Sequence, residues 1–331
     1  MAEALRSDRP VAARVAILDD YTHEALQIAD WSGLPAGTEV EAFAHAARSE
    51  DELAARLAGF DVVVAMRERT AFGAALLERL PRLRLIATTG LRNAAIDLAA
   101  CARLGIDVCG APGARTGLAG TAETAWALLL ALHKKTVASH VALCRGEWQP
   151  EMAEVLSGRT LGLVGLGHIG QQMARIGNAF GMQVVAWSPN LTDERAAAAG
   201  ARRVDKAGLF SQADAVSLHL VLAPSTRGVV GAAELALMKP GSYLVNTARA
   251  ALVDEAALLD ALAARRIGGA GLDVFWQEPV PAGHALCALP NVVLSPHLGY
   301  VTRDNMAAFY AGVVRNIALW LDGGAPVPLK S

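Results

Sequence analysis

The chain predicts an α/β protein with two doubly wound parallel-sheet domains, one inserted into the other. Three observations carry this expectation. Strand-like and helix-like segments alternate through the first hundred residues, and a second, longer alternation follows from Thr160 to Leu294. At the middle of the chain, directly after the first strand of that second series, stands a glycine-rich turn, Gly165-Leu166-Gly167-His168-Ile169-Gly170. Alternation of this kind means βαβ units and parallel sheets.

In the first series the spacing predicts strands at Arg14 to Leu18, Asp61 to Ala65, Leu83 to Ala87 and Asp107 to Cys109. Helices are predicted around Glu50 to Leu57, Gly73 to Leu80 and Asp97 to Arg103. A long helical pattern then runs from Thr121 to about Leu143, with Leu128, Leu132 and Val137 on overlapping faces.

The second series offers six strands: Thr160 to Val164, Gln183 to Trp187, Ala215 to Leu218, Tyr243 to Asn246, Gly269 to Leu272 and Val292 to Leu294. Helices such as Gln171 to Phe180 and Asp254 to Ala264 separate them, as in a Rossmann unit. An amphipathic helix at about Arg303 to Trp320 closes the chain and is expected to return to the first domain. The domains then fall at 1–115 with 299–331, and at 116–298, and two crossings between them would allow hinged closure.

Composition narrows the function classes. At 331 residues there is room for two ordinary domains. Hydrophobic residues make up 53%, a figure raised by alanine, yet the apolar run Ala125 to Leu132 is far too short to cross a bilayer. Met1 to Pro10 has no apolar stretch resembling a signal peptide. The formal charge of −2, with no basic cluster, argues against a nucleic-acid partner. Cys101, Cys109, Cys144 and Cys287 form no CxxC pair, so neither a metal nor a disulfide framework is implied. All four are expected to be small buried hydrophobes in a soluble, cytoplasmic protein.

The glycine turn has chemical meaning because it follows an apolar strand and opens a helix. Gly165 permits the tight turn, Gly167 lets the backbone approach a pyrophosphate, and Gly170 permits close helix–strand packing. The helix N-terminus beginning at His168 and Ile169 then favours phosphate charge. Where a carboxylate ordinarily binds the ribose, at the end of Val184-Val185-Ala186-Trp187, stands Ser188. Asp193 and Glu194 instead fit the first turn of a helix capped by Thr192. Without that carboxylate a 2′-phosphate is not repelled, which leaves NAD and NADP both open and leans toward NADP. Arg195 or Arg203 would have to reach the phosphate.

Three further segments resemble the D-isomer-specific 2-hydroxyacid dehydrogenase family. Val245-Asn246-Thr247-Ala248-Arg249 with Leu252-Val253-Asp254 resembles its arginine motif, and Gly271-Leu272-Asp273-Val274-Phe275 with Glu278-Pro279 its glutamate motif. Asn291-Val292-Val293-Leu294-Ser295-Pro296-His297-Leu298-Gly299 is similar to its histidine motif. The resemblance covers nearly the whole chain. It implies a Rossmann cofactor domain inserted into a flavodoxin-like substrate domain, and a catalytic trio of Arg249, Glu278 and His297. His297 would act as general acid, and Glu278 would orient the imidazole and favour its protonated form. Arg249 would hold a substrate carboxylate with its planar fork. Thr247, Ala248 and Gly299 are expected beside the cofactor with Ser188, and Asp273 near the nicotinamide.

On the substrate side, Thr88-Thr89-Gly90-Leu91-Arg92-Asn93 resembles the family loop whose backbone N–H groups receive the carboxylate. Arg92 and Asn93 depart from the commoner glycine and acid. Arg67 occupies a position where phosphate-using relatives also carry arginine. Ala250 replaces a usual glycine, and His168 a common arginine. Gly90, Leu91, Arg92 and Arg67 are thus the candidate substrate residues. The activity implied is reduction of a small 2-keto acid of the glyoxylate or hydroxypyruvate kind, in a homodimer whose contact surface includes the long helix after Thr121. Two other readings stand beside it. One is a dinucleotide-sensing binding protein of the co-repressor type, disfavoured by the lack of an extended tail. The other is a phosphoglycerate dehydrogenase, disfavoured because no regulatory domain follows within Ser331.

Overall fold

The computed structural model describes residues 12–330; the Met1 to Pro10 expectation lies outside the described residues. Two compact units emerge, one of Met1–Thr116 with Arg303–Ser331 and the other of Gly117–Thr302.

Unit 1 is built on a five-stranded parallel sheet. Its strands are β1 (Arg14–Ile17), β2 (Glu39–Ala42), β3 (Val62–Ala65), β4 (Leu85–Thr89) and β5 (Asp107–Ala111), in the order β2-β1-β3-β4-β5. Every residue of β3 and β4 is buried. A central parallel strand covered on both faces needs an unbroken apolar run, and Val62-Val63-Val64-Ala65 supplies one. Strand β2 alternates exposed and half-buried residues at the sheet edge, a pattern too weak to be expected from the sequence. Strand order reverses between β1 and β3, so their carboxyl ends flank a crevice of the kind that accepts ligands in such sheets.

The helix Arg303–Leu321 completes this unit. Asn316 donates to the Gly110 carbonyl at 3.1 Å, and the Trp320 indole donates to Asp107 at 2.6 Å. Its apolar side, with Tyr310, Val313, Ile317 and Trp320 buried, is what the terminal periodicity encodes.

Unit 2 holds seven parallel strands rather than the six expected. They are β6 (Thr160–Val164), β7 (Gln183–Trp187), β8 (Arg202–Arg203), β9 (Ala215–Leu218), β10 (Tyr243–Asn246), β11 (Gly269–Leu272) and β12 (Val292–Leu294). The order is β12-β11-β10-β9-β6-β7-β8. Two exposed arginines forming the edge strand β8 carry no periodicity, which is why that strand escapes a sequence reading. Successive residues of β6 serve opposite layers: Leu161 and Leu163 join a core with Trp126, Leu129 and Met173, while Val164 joins one with Leu209, Phe210 and Leu258.

The expected single helix after Thr121 is two, Gly117–Lys134 and Thr136–Cys144. Lys135 breaks the run with a left-handed backbone, φ 55°. Leu128 and Leu132 are buried before the break, whereas Val137 beyond it is 51% exposed. The first helix lies close on the sheet: a Cβ on Gly271 of β11 would meet Leu128 at 2.9 Å.

The cysteine expectation needs correcting for two of four. Cys101 and Cys109 are buried, and burial pushes their thiols up to about 11 and about 12. Cys144 and Cys287 are exposed. No helix among the described residues is long and apolar enough to cross a membrane, and none of their acidic, histidine and cysteine side chains converge as a metal site.

Candidate active site

In unit 2 the functional candidates gather along one edge of the sheet. Strands β10, β11 and β12 pair in register, with Asn246 opposite Leu272 and Leu272 opposite Leu294. Arg249, Asp273 and His297 follow those residues by three, one and three positions, so all three leave the carboxyl edge of neighbouring strands.

The nearest partnership joins His297 and Glu278. The imidazole Nδ1 lies 2.6 Å from Glu278 Oε2, and the other carboxylate oxygen accepts from the Phe275 N–H at 2.9 Å. The acid is therefore anchored to the backbone after β11 before it meets the ring. Tyr300 packs edge-on against the imidazole, with centroids 5.4 Å apart. His297 itself has φ 56°, a left-handed conformation that costs a non-glycine residue about 1–2 kcal/mol.

Asp273 holds that conformation in place. One oxygen accepts from the Ser295 hydroxyl at 2.6 Å and the Leu298 N–H at 2.8 Å; the other accepts from the Gly299 N–H at 2.9 Å. These donors bracket His297 on both sides. Burial pushes the Asp273 carboxyl above the usual range, against the pull of the three donors and of His297. Asp273, expected from the family resemblance beside a nicotinamide, is the strap of the histidine loop in this structure. Gly299 is tied to both flanks, since its carbonyl accepts from Thr121 at 3.0 Å.

Arg249 sits half-buried after β10, its guanidinium donating to the Ala248 carbonyl at 2.8 Å. Asn246, fully buried, secures this loop by donating to Arg249 O at 3.0 Å and accepting from Ala248 N–H at 3.0 Å. In the sequence Asn246 stands only as part of a motif; its signal is a polar residue ending an apolar strand.

The glycine turn fits a dinucleotide pyrophosphate. Gly165 has φ 102°, and a Cβ there would meet the His219 backbone at 2.7 Å. A Cβ on Gly170 would overlap the Gly165 carbonyl oxygen. Gly167, in contrast, is exposed and faces open space, with nothing within 4 Å of a built Cβ. It caps the helix His168–Ala179 without any side-chain hydrogen bond, leaving N–H groups directed at an incoming anion. The turn lies where strand order reverses between β6 and β9, the ligand crevice of a Rossmann sheet. Two buried polar atoms beside that edge, Thr247 Oγ1 and His219 Nδ1, have no hydrogen-bond partner among the described residues. His219 Nε2 contacts Ser217 at 2.9 Å, and burial pushes the imidazole down to about 4. Nothing in the sequence had marked His219.

Ser188 is half-buried after β7, and exposed Pro189 and Asn190 follow it. The two arginines considered for a 2′-phosphate have other partners: Arg195 donates to Asn190 O at 3.1 Å, and Arg203 pairs with Asp193 at 3.5 Å. Thr192 caps the helix holding Asp193 and Glu194.

Within unit 1, Arg67, Gly90, Leu91 and Arg92 lie on the loops after β3 and β4. The Gly90 N–H, one of those expected to receive a carboxylate, donates instead to the Ala111 carbonyl at 2.6 Å.

Together the sheet, the glycine turn and the imidazole–carboxylate pair define a dinucleotide-dependent oxidoreductase. The family description "D-isomer specific 2-hydroxyacid dehydrogenase, NAD binding domain" matches residues 126–299. The glyoxylate reductase of Aeropyrum pernix is 38% identical over 260 residues, covering 76% of this chain and 77% of that one. The D-3-phosphoglycerate dehydrogenase of Methanocaldococcus jannaschii is 36% identical over 278 residues, covering 83% of this chain but only 52% of its own length. Among solved structures, a phosphoglycerate oxidoreductase of Vibrio cholerae superposes with a TM-score of 0.88 at 36% identity, over 94% of this chain and 100% of that one. The chain belongs to the D-isomer-specific 2-hydroxyacid dehydrogenases, NAD(P)-dependent oxidoreductases of small 2-hydroxy and 2-keto acids.

Proposed function

We propose that this protein reduces a small 2-keto acid of the glyoxylate or hydroxypyruvate kind, with Arg249, Glu278 and His297 as its catalytic residues. The 2.6 Å contact between His297 Nδ1 and Glu278 carries the reading. When bound, the nicotinamide cofactor supplies the hydride. The chain supplies the rest. A carboxylate only accepts hydrogen bonds, so Glu278 keeps a proton on His297 Nδ1 and leaves Nε2 to deliver one to the carbonyl oxygen. Arg249 holds the substrate carboxylate and polarises the carbonyl with its fixed charge. Asp273 keeps the imidazole aimed through its grip on the flanking N–H groups.

On the cofactor side the reading places the pyrophosphate over Gly165, Gly167, His168, Ile169 and Gly170, with Ser188, Thr247, Ala248, Asp273 and Gly299 lining the remainder. It keeps the lean toward NADP, supported by Ser188 standing where a carboxylate would repel a 2′-phosphate. An imino acid reductase structure of 26% identity and TM-score 0.69 was solved with NADPH. On the substrate side Arg67, Leu91 and Arg92 take the acid, over Gly90.

The reading includes a homodimer in the cytoplasm. Unit 2 exposes Val137, Val141, Leu143, Trp148, Met152 and Val155 within one stretch, Trp148 by 78% and Met152 by 91%. Apolar exposure on that scale favours a second copy as its cover. A second substrate reading, 3-phosphohydroxypyruvate, is favoured by the phosphoglycerate dehydrogenase relatives.

The test follows loss of reduced-nicotinamide absorbance with NADH and with NADPH over glyoxylate, hydroxypyruvate and phenylpyruvate. Turnover of none with either cofactor overturns the activity. Sedimentation giving a monomer at micromolar concentration overturns the dimer.

A further inference from the structure

In unit 1 the loop after β4 is gripped by a segment more than two hundred residues further along the chain. Strand β5 is the last of its sheet, so its outer rim presents N–H and C=O groups that need partners. The stretch after the helix Arg303–Leu321 supplies them. Gly323, with φ 80°, stops that helix in a left-handed turn, and the Gly324 N–H donates to the Leu319 carbonyl at 2.8 Å. The chain then returns along β5. The Gly110 N–H donates to the Val327 carbonyl at 2.9 Å, and Pro328 bridges antiparallel to Cys109. Proline is tolerated at such an edge, where its missing N–H deprives no neighbour.

Asn316, only 4% exposed, locks this register. Its Nδ2 donates to the Gly110 carbonyl at 3.1 Å, and its Oδ1 accepts from the Val327 N–H at 3.2 Å. One end of the carboxamide is thus spent on β5 and the other on the returning segment. Two residues beyond Pro328, the Lys330 N–H donates to the Leu91 carbonyl at 2.7 Å. Strand, segment and loop are in close contact around Gly110. A Cβ there would meet the Gly90 carbonyl oxygen at 2.5 Å and Leu329 Cδ2 at 2.9 Å.

This packing turns two successive carbonyls, those of Gly90 and Leu91, toward β5 and the segment beside it. Both peptide bonds are trans, and in a trans peptide the N–H points opposite to the C=O. The N–H groups of Leu91 and Arg92 therefore point together, away from β5. Neither donates to an acceptor among the described residues. Adjacent N–H groups facing one way make an anion-receiving concavity.

We propose that Asn316 and the segment Val327–Lys330 position the loop after β4, turning the Leu91 and Arg92 N–H groups toward the carboxylate of a 2-keto acid. This deepens the 2-keto acid reading above and rests on it. The carboxylate meets peptide planes that are already set, so little ordering of the loop is left for binding to accomplish. The link runs through the main chain: the Lys330 N–H makes it, while the Lys330 side chain is exposed.

The experiment sets Lys330→Pro, which deletes that N–H, against Lys330→Ala, which keeps it. K330P should raise KM for glyoxylate by about three- to tenfold, the worth of one net hydrogen bond. Its kcat, and its KM for the reduced nicotinamide dinucleotide, should stay within about twofold of wild type, because neither depends on this loop contact. K330A should match wild type in all three. A merely structural role would raise both KM values of K330P together, and that result overturns the inference. So does a glyoxylate KM in K330P equal to that of wild type, or a K330A protein that behaves as K330P does. Calorimetric titration of oxamate, an analogue that accepts no hydride, into protein saturated with reduced dinucleotide makes the comparison without turnover. Oxamate affinity should fall by about three- to tenfold in K330P alone. That pattern in a protein that turns over no 2-keto acid sinks the activity and not this inference. Equal oxamate affinity in wild type and K330P, with turnover intact, sinks the inference and not the activity.

Discussion

Glu278→Gln tests the candidate site most directly. The His297 Nδ1 to Glu278 Oε2 contact is 2.6 Å, and both side chains are about three-quarters buried, with 24% and 27% exposure. Glutamine has the same shape and keeps an oxygen for the Phe275 N–H, so the loop after β11 has no reason to move. Its amide NH2 then faces Nδ1–H, donor against donor. The imidazole must lose that hydrogen bond or adopt the other neutral tautomer, with its hydrogen on Nε2 and Nδ1 accepting from the amide, so the doubly protonated ring that delivers a proton has no acceptor for its Nδ1–H. A charge-assisted hydrogen bond of this kind contributes about 1.5–3 kcal/mol. Realised in the transition state, that is about a 10- to 150-fold fall in the rate of the chemical step. Single-turnover reduction of glyoxylate by pre-bound reduced nicotinamide measures the step, and a fluorescence titration shows whether cofactor binding is preserved. A Glu278→Gln protein with unchanged cofactor affinity and a rate within about twofold of wild type would refute the assignment of this pair.

Two glycines of the phosphate turn should behave oppositely. Gly165→Ala places a Cβ at φ 102° against the His219 backbone and should lower the unfolding free energy by about 2–4 kcal/mol, measured in urea. Gly167→Ala meets no atom within 4 Å, so it should change stability by less than about 1 kcal/mol yet weaken binding of the reduced nicotinamide dinucleotide in a fluorescence titration. Equal effects of the two on stability would contradict this division. Acid sensitivity should follow from His133, which is fully buried against Tyr243 at a centroid distance of 4.6 Å. Burial pushes its imidazole down to about 4, although Glu154, 3.5 Å from Nδ1, pulls the other way. The unfolded chain binds a proton there near the ordinary 6.5, so its contribution to stability is full above that pH and is lost as pH falls from 6.5 toward about 4. His133→Phe should spare about 2–3 kcal/mol of the loss between pH 7 and pH 4.5, read from urea midpoints. Parallel curves for the two proteins would show that His133 titrates normally.

Much of the architecture was legible in the chain because burial on both faces of a parallel strand demands unbroken apolar runs. Val62 to Ala65, Thr160 to Val164 and Tyr243 to Asn246 announce themselves this way. Edge strands lack that demand, so Glu39 to Ala42 and Arg202 to Arg203 carried no signal. The break at Lys135 was equally silent, since it rests on one backbone angle and not on a change of residue type.

Residue types and their order determined that the chain has a dinucleotide turn, an arginine, an acid and a histidine, each after a strand. Only tertiary structure decided which of these meet. Glu278 and His297 touch because β11 and β12 pair in register, and Asp273 is a loop strap because two backbone N–H groups distant in sequence converge on it. The same holds for Asn93 and Arg67, which stand 26 residues apart and meet through the pairing of β3 with β4. Periodicity records which face of an element is buried; it carries no information about which side chains from different elements share a hydrogen bond, because that depends on register and loop path.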